Sequence, residues 1–135
     1  MADRVKAFLI EQGYDIKEFR ANKHEHGPDI EAEAKDGSIK VVVEVKGYPS
    51  EKVELGQNRG KIKSPSKIKG QARTWFAKAF LKLAIERPKD AKKVVAFGLP
   101  DHKVYRGLVE DIAYARRILN LTCFFVKEDE TVEEV

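Results

Sequence analysis

Three charged residues stand at spacings that could bring them together inside a fold. Asp29 follows Pro28 at the start of an alternating segment, and Glu44 and Lys46 stand two residues apart in an apolar run. Because side chains alternate along a strand, Glu44 and Lys46 point to the same side. Two neighbouring carboxylates form a hard oxygen site that suits Mg²⁺, and a lysine beside them can stabilise developing negative charge or position an attacking water. This is the chemistry of metal-assisted phosphodiester hydrolysis.

A β-hairpin is predicted to place these residues. The segment "DIEAEAK" at 29–35 alternates, "DGS" at 36–38 is a hairpin turn signal, and "IKVVVEVKG" at 39–47 is nearly continuous in β-branched residues. Such a strand is usually central in a sheet and covered on both faces. A charge at position 44 of such a strand therefore indicates a specific role. The alternative is that Asp29, Glu44 and Lys46 form an ordinary surface salt-bridge cluster.

The rest of the chain alternates between helical and strand patterns. Pro88 stops the clearest helix, which is apolar at every third or fourth position. The predicted elements outside the hairpin are helices at about 3–12, 70–87 and 102–119, and strands at about 14–20, 92–98 and 121–126. The order α-β-β-β-α-β-α-β predicts an α/β (α+β) fold with a central mixed sheet and helices on both faces.

Charge is distributed unevenly along the 135 residues, whose net charge is +4. The last eight residues, "EDETVEEV", hold five acids, and removing them leaves 26 basic and 17 acidic residues, a net charge of +9. We therefore predict one domain over 1–127, with a long basic loop at 48–70, followed by an acidic tail at 128–135. A basic body suits a polyanionic partner, most simply nucleic acid.

Other features exclude several classes of protein. A single cysteine excludes a disulfide framework. We expect no signal peptide in the first residues, since they carry an acid at position 3 and no long apolar core. No stretch approaches the roughly 18 apolar residues of a membrane span. We expect a cytoplasmic protein that does not bind membranes. His24 and His26 are expected in a solvated loop, since no further His or Cys nearby completes a metal site.

The Pro28–Asp29 pair, followed by Glu44, Val45 and Lys46, resembles the motif of the PD-(D/E)XK nuclease superfamily. The element order is similar too, so the likeness covers most of residues 3–126. It implies the restriction-endonuclease-like, three-layer αβα fold. It also implies that Asp29 and Glu44 bind Mg²⁺ or Mn²⁺, that Lys46 positions water and phosphate, and that the Val45 carbonyl completes the metal shell.

The resemblance implies two further sets of site residues. Many members carry an acid in the first helix, for which Asp3 and Glu11 are the candidates. Mrr-like enzymes and Holliday-junction resolvases place a Gln or a basic residue on the long helix near the site. By that likeness Gln71 would orient a phosphate or water, and Arg73 would contact the nucleic-acid backbone.

The sequence thus predicts a Mg²⁺-dependent DNA nuclease, most simply an endonuclease, which a homodimer would allow to cut both strands. The predicted nucleic-acid contacts lie in the acid-free stretch from 59 to 73 and just after the motif strand; they are Arg59, Lys61, Lys63, Lys67, Lys69, Arg73 and Tyr48. Two alternatives stay open. One is a nucleic-acid-binding module without useful catalysis, and the other is a protein-interaction domain whose acidic tail docks on a partner or on the protein's own basic face.

Overall fold

A six-stranded sheet forms the centre of the fold, and every strand lies beside its neighbours in sequence. The computed structural model describes residues 1–21, 26–49, 52–53 and 56–135. The strands are β1 (Tyr14–Phe19), β2 (Ile30–Ala34), β3 (Lys40–Val45), β4 (Val94–Pro100), β5 (Leu121–Val126) and β6 (Val132–Glu134). The helices are α1 (Ala2–Glu11), α2 (Pro65–Glu86), α3 (Lys103–Asp111) and α4 (Ala113–Leu119), with a 3₁₀ turn at Arg87–Lys89.

The sheet is mixed, as predicted. Strands β1, β2 and β3 pair antiparallel, β3, β4 and β5 pair parallel, and β6 returns antiparallel to β5. Parallel neighbours need a crossover connection. Helix α2 supplies the crossover from β3 to β4, and α3 with α4 supplies that from β4 to β5. These crossovers make β3 an internal strand, as its unbroken valine run indicated.

Helices cover both faces of the sheet and give the predicted three layers. On one face, Val5 of α1 packs in a buried cluster with Val41 and Val43 of β3. On the other face, Phe76 of α2 stacks on Phe97 of β4, with ring centroids 4.8 Å apart. Alternation along β3 thus divides its side chains between two cores, and the predicted α/β fold class is confirmed.

Helix α2 begins five residues earlier than expected, so the prediction of a loop throughout 48–70 is wrong. Pro65 occupies the first turn, where its missing N–H costs nothing, and Ser64 before it is extended. The segment before α2 is also partly ordered, because Lys52 and Ile62 form an antiparallel bridge. The main-chain N–H of Val53 donates to the carbonyl of Lys61 over 2.8 Å.

The predicted helix at 102–119 is two helices. Ile112 departs from helical geometry, with φ −99° and ψ 18°, and separates α3 from α4. At the break, Ile112 packs against the buried core. None of the described helices is long and apolar enough to cross a membrane.

A sixth strand, which the sequence analysis missed, lies within the acidic segment at 128–135. The carboxylate of Asp129 accepts hydrogen bonds from the main-chain N–H and from the hydroxyl of Thr131. Strand β6 follows this turn and pairs with β5. Glu133 lies 2.5 Å from Nη2 of Arg106 and 3.8 Å from Nζ of Lys127. Residues Val132–Glu134 of the acidic segment are therefore part of the sheet, where Glu133 pairs with Arg106 and Lys127.

Candidate metal centre at the β2–β3 hairpin

Asp29 stands where the β2–β3 ladder ends. The last paired residues are Ile30 and Val43, and the register would next bring Asp29 opposite Glu44 and then Pro28 opposite Val45. Proline has no N–H to donate, so the ladder cannot continue through it. Instead, Oδ2 of Asp29 accepts a hydrogen bond from the Val45 N–H over 2.8 Å. The carboxylate is thereby fixed against the motif strand.

Arg20, a residue that the sequence analysis did not single out, braces the turn that carries Asp29. Its Nη1 donates to the Pro28 carbonyl over 3.1 Å and to Oε2 of Glu31 over 2.5 Å. Its main-chain N–H donates to the Asp29 carbonyl over 2.7 Å. Gly27 has φ +120°, and a Cβ there would lie 2.9 Å from the Arg20 guanidinium. The local sequence "GPD" thus fits a turn packed on this arginine.

Glu44 is the one charged side chain that is buried among the described residues, with 1% of its surface exposed. Its Oε2 lies 3.5 Å from Nζ of Lys82, and its Oε1 has no hydrogen-bond partner in the described part of the chain. Burial raises the pKa of the Glu44 carboxyl, and the negative charge of Asp29 raises it further, while Lys82 and Lys46 oppose the shift. The charges of Asp29, Lys82 and Lys46 therefore all act on the Glu44 carboxyl.

Two clefts open beside this hairpin end. Asp29 lines one of about 260 Å³, together with Asp3, the Val45 segment and Gly47. Glu44 lines the other, of about 180 Å³, together with Lys82. Of the two acids predicted from the first helix, Asp3 is thus the one beside Asp29. Glu11 lines a different cleft, next to the turn that precedes β6.

Lys46 follows the last residue of β3, whereas Gln71 lies near the start of α2. The Lys46 N–H donates to the Gly98 carbonyl over 2.9 Å, which continues the β3–β4 pairing beyond Val45. Gln71 accepts a hydrogen bond from Nζ of Lys63 over 3.3 Å. It lies eleven residues before Lys82, about 16 Å away along the axis of α2. The α2 residue that the structure places against Glu44 is therefore Lys82 rather than Gln71.

The chain beyond Lys46 is anchored from α3. The hydroxyl of Tyr105 donates to the Gly47 carbonyl over 3.0 Å, and burial raises the pKa of Tyr105 to about 12. Tyr48, the next residue, is 49% exposed, with its ring 6.3 Å from the ring of His102. This leaves Tyr48 accessible at the rim of the site.

The predicted nucleic-acid contacts lie at the surface. Lys63 is half-buried beside Gln71, and the other basic residues of the stretch are exposed: Arg59, Lys61, Lys67, Lys69 and Arg73. Arg59, Lys61 and Lys63 belong to the segment before α2, whereas Lys67, Lys69 and Arg73 belong to its first turns. His26 is exposed, and His24 lies outside the described residues.

The donor set fits a hard divalent cation. Within the described ranges, no group of three or more His, Cys, Asp or Glu side chains comes together closely enough to hold a metal ion. Mg²⁺ does not require such a group, because it is usually held by one or two carboxylates and keeps several waters. The unpaired oxygen of buried Glu44 is an acceptor that such an ion would satisfy.

Comparison with known proteins shows a shared fold. The chain is similar to the crystal structure of an XisH family protein from Nostoc punctiforme PCC 73102, with a TM-score of 0.51 and 19% identity over 98% of this chain and 94% of that chain. A FdxN element excision controlling factor protein from Anabaena variabilis gives a TM-score of 0.49 and 20% identity over 97% and 93%. No protein-family model and no curated protein matches the chain.

Proposed function

We propose that this protein is a metal-dependent nuclease that hydrolyses phosphodiester bonds in DNA. The buried carboxylate of Glu44, with one oxygen unpaired and the charge of Asp29 close by, carries the proposal. Removing a carboxylate from water costs several kcal/mol unless good partners replace the water. An incompletely paired carboxylate on a central strand therefore favours a cation-binding role for Glu44 over a purely structural one.

Each residue would have a distinct role. Asp29 and Glu44 would hold Mg²⁺ or Mn²⁺, together with the Val45 carbonyl. The bound metal supplies Lewis-acid stabilisation of phosphate charge and lowers the pKa of a water ligand. The Lys46 ammonium, on the same side of β3 as Glu44, would orient the attacking water and the scissile phosphate. Asp3 would contact water in the cleft that it shares with Asp29.

A polyanionic substrate fits the surface around the site. Arg59 and Lys61 are exposed on the segment before α2, and Lys67 is exposed in the first turn of α2. No acid occurs between Arg59 and Arg73. Phosphate contacts provide most of the affinity for nucleic acids and carry no sequence information. We therefore infer that the protein recognises the DNA backbone and its shape rather than a base sequence.

A plasmid-cleavage assay tests the proposal. Supercoiled DNA is incubated with wild type, Asp29→Asn or Lys46→Ala, in Mg²⁺, Mn²⁺ or EDTA. Lys35→Ala is the matched control, since Lys35 is exposed at the turn on the other end of the hairpin. The proposal predicts metal-dependent nicking by wild type and the control and none by the other two variants. Equal cleavage by all four proteins, or none by wild type on plasmid, branched or single-stranded DNA, would contradict it.

A further inference from the structure

Lys82 lies against the buried carboxylate of the candidate site, although 38 residues separate it from Glu44 in sequence. Its Nζ is 3.5 Å from Oε2 of Glu44, at the long end of ion-pair contact. The Lys82 side chain is 56% exposed, whereas that of Glu44 is 1% exposed. One partner is therefore fixed within the sheet, and the other reaches in from solvent on a flexible stem.

This contact leaves Glu44 incompletely satisfied. A carboxylate has about four lone-pair positions, and Oε1 has no hydrogen-bond partner in the described part of the chain. An ammonium is a compact monovalent cation on a stem that rotates freely. The Lys82 ammonium thus balances the negative charge of Glu44 but leaves carboxylate lone pairs that a metal ion could bind.

We propose that the Lys82 ammonium takes the place of the divalent cation beside Glu44 in the metal-free protein and leaves when the metal binds. The inference rests on the proposed function, since it requires that Glu44 is a metal ligand. In this role Lys82 is a positioning residue: its ammonium contacts the Glu44 carboxylate in the cleft before the metal arrives.

The surroundings of Lys82 give the released ammonium a second position. Lys67, Gln71, Lys78 and Lys82 lie within about 60° of one another around α2, given 3.6 residues per turn. Lys67 and Lys78 are exposed, and α2 contains no acid before Glu86. Lys67, Lys78 and Lys82 thus form a row of cations along one edge of the helix. The row ends at the site, where the released Lys82 ammonium would contact a substrate phosphate.

The test measures metal affinity rather than activity. Mn²⁺ is titrated into wild type, Lys82→Met, Lys82→Arg and Lys78→Met, and the free ion is followed by electron paramagnetic resonance. The experiment is run at about pH 8, where carboxylates are ionised. Lys82→Met removes the competing charge and keeps the apolar stem. It should therefore bind Mn²⁺ more tightly, by roughly three- to tenfold for one partly solvent-screened charge. Lys82→Arg and Lys78→Met should match wild type to within about twofold.

DNA binding in Ca²⁺ gives a readout of opposite sign. Lys82→Met should bind DNA more weakly than wild type while binding Mn²⁺ more tightly, since the released ammonium is no longer present to contact a phosphate. Unchanged or weaker Mn²⁺ binding by Lys82→Met, with wild type binding Mn²⁺ normally, would overturn this inference and leave the metal site standing. Absence of Mn²⁺ binding by wild type would overturn the proposed function itself.

Discussion

The carboxylate of Asp29 replaces a main-chain carbonyl in the β2–β3 ladder, because its Oδ2 accepts the hydrogen bond of the Val45 N–H over 2.8 Å. The same residue is thus a strand terminator and a candidate metal ligand. The two roles are compatible, since a carboxylate offers about four lone-pair positions and the hydrogen bond uses one. They also predict different consequences for two substitutions at this position.

Asp29→Asn should abolish metal-dependent cleavage and leave the stability of the fold nearly unchanged. The asparagine Oδ1 can still accept from the Val45 N–H, while the charge needed for a metal is lost. We expect the free energy of unfolding to stay within about 0.5 kcal/mol of wild type, whereas Asp29→Ala should lower it by about 1–2 kcal/mol through loss of a charged hydrogen bond. Both variants should lose metal-dependent cleavage. Urea unfolding beside the plasmid assay checks this, and equal destabilisation by the two variants would refute the role of the hydrogen bond.

Glu44→Gln should stabilise the metal-free protein. Burial and the charge of Asp29 raise the pKa of Glu44 above its ordinary value of 4.5. The folded protein therefore binds this proton more tightly than the unfolded chain does. The resulting stability is fully present below pH 4.5 and is lost as the pH rises through the folded value. At neutral pH the substitution should raise the free energy of unfolding by about 1 kcal/mol or more, since it removes an incompletely paired buried charge.

Urea unfolding of wild type and Glu44→Gln across this pH range measures the effect. Their difference should grow with pH and shrink when Mn²⁺ is added, because a ligand that binds only the folded state stabilises it. The Gln variant should show no response to Mn²⁺. If wild type were the more stable protein at neutral pH without metal, Glu44 would be a structural ion-pair partner of Lys82 instead.

Local pattern was enough to predict β3 and the division of its side chains. Because side chains alternate along a strand, Val41 and Val43 were expected on one face and Glu44 on the other. Both faces are covered in the structure. The fold class followed from the same kind of signal, because strand and helix periodicities are local properties of a sequence. The β2–β3 hairpin could therefore be predicted from the sequence, without knowledge of any tertiary contact.

Residues that act across long separations were not predictable in this way. Lys82 contacts Glu44 only because α2 crosses β3 at that point, and nothing in "FLKLA" distinguishes it from Lys78. Arg20 likewise braces the Asp29 turn from the end of β1. Strand β6 was missed because its acids indicated a solvated tail, whereas Arg106 and the edge of β5 stabilise it as a strand.

The basic segment before α2 should bind DNA through phosphates. Replacing Arg59 and Lys61 together with serine should weaken DNA binding at every sequence tested. It should also reduce the slope of log affinity against log salt concentration by about 1 per phosphate contact removed. Thermal stability should not change, because both side chains are exposed. Fluorescence anisotropy between about 50 and 200 mM salt measures the slope. Lys35→Ser serves as the control, and an equal effect there would show that net charge rather than this segment governs binding.

Arg106 should hold β6 on the sheet. Its Nε donates to Oδ1 of Asp101 over 2.7 Å, its Nη2 donates to Glu133 over 2.5 Å, and its guanidinium carbon lies 3.9 Å from the centre of the Phe125 ring. A lysine cannot reproduce this planar arrangement. In Arg106→Lys, the amides that pair Cys123 with Val135 should exchange with solvent faster, while those of the central β4 should not.

Hydrogen exchange followed by mass spectrometry or NMR resolves this difference, and Lys127→Ala is the matched control because Lys127 also contacts Glu133, at 3.8 Å. The hydrogen bonds from Arg106 lower the pKa of both Asp101 and Glu133. The stability that the Asp101 and Glu133 carboxylates contribute is therefore present above the ordinary carboxyl pKa. It is lost as the pH falls through the lowered pKa values. Protection of β6 relative to β4 should accordingly decrease in acid in wild type but change less in Arg106→Lys. Equal protection of β6 in the two proteins at neutral pH would show that main-chain pairing with β5 suffices to hold the strand.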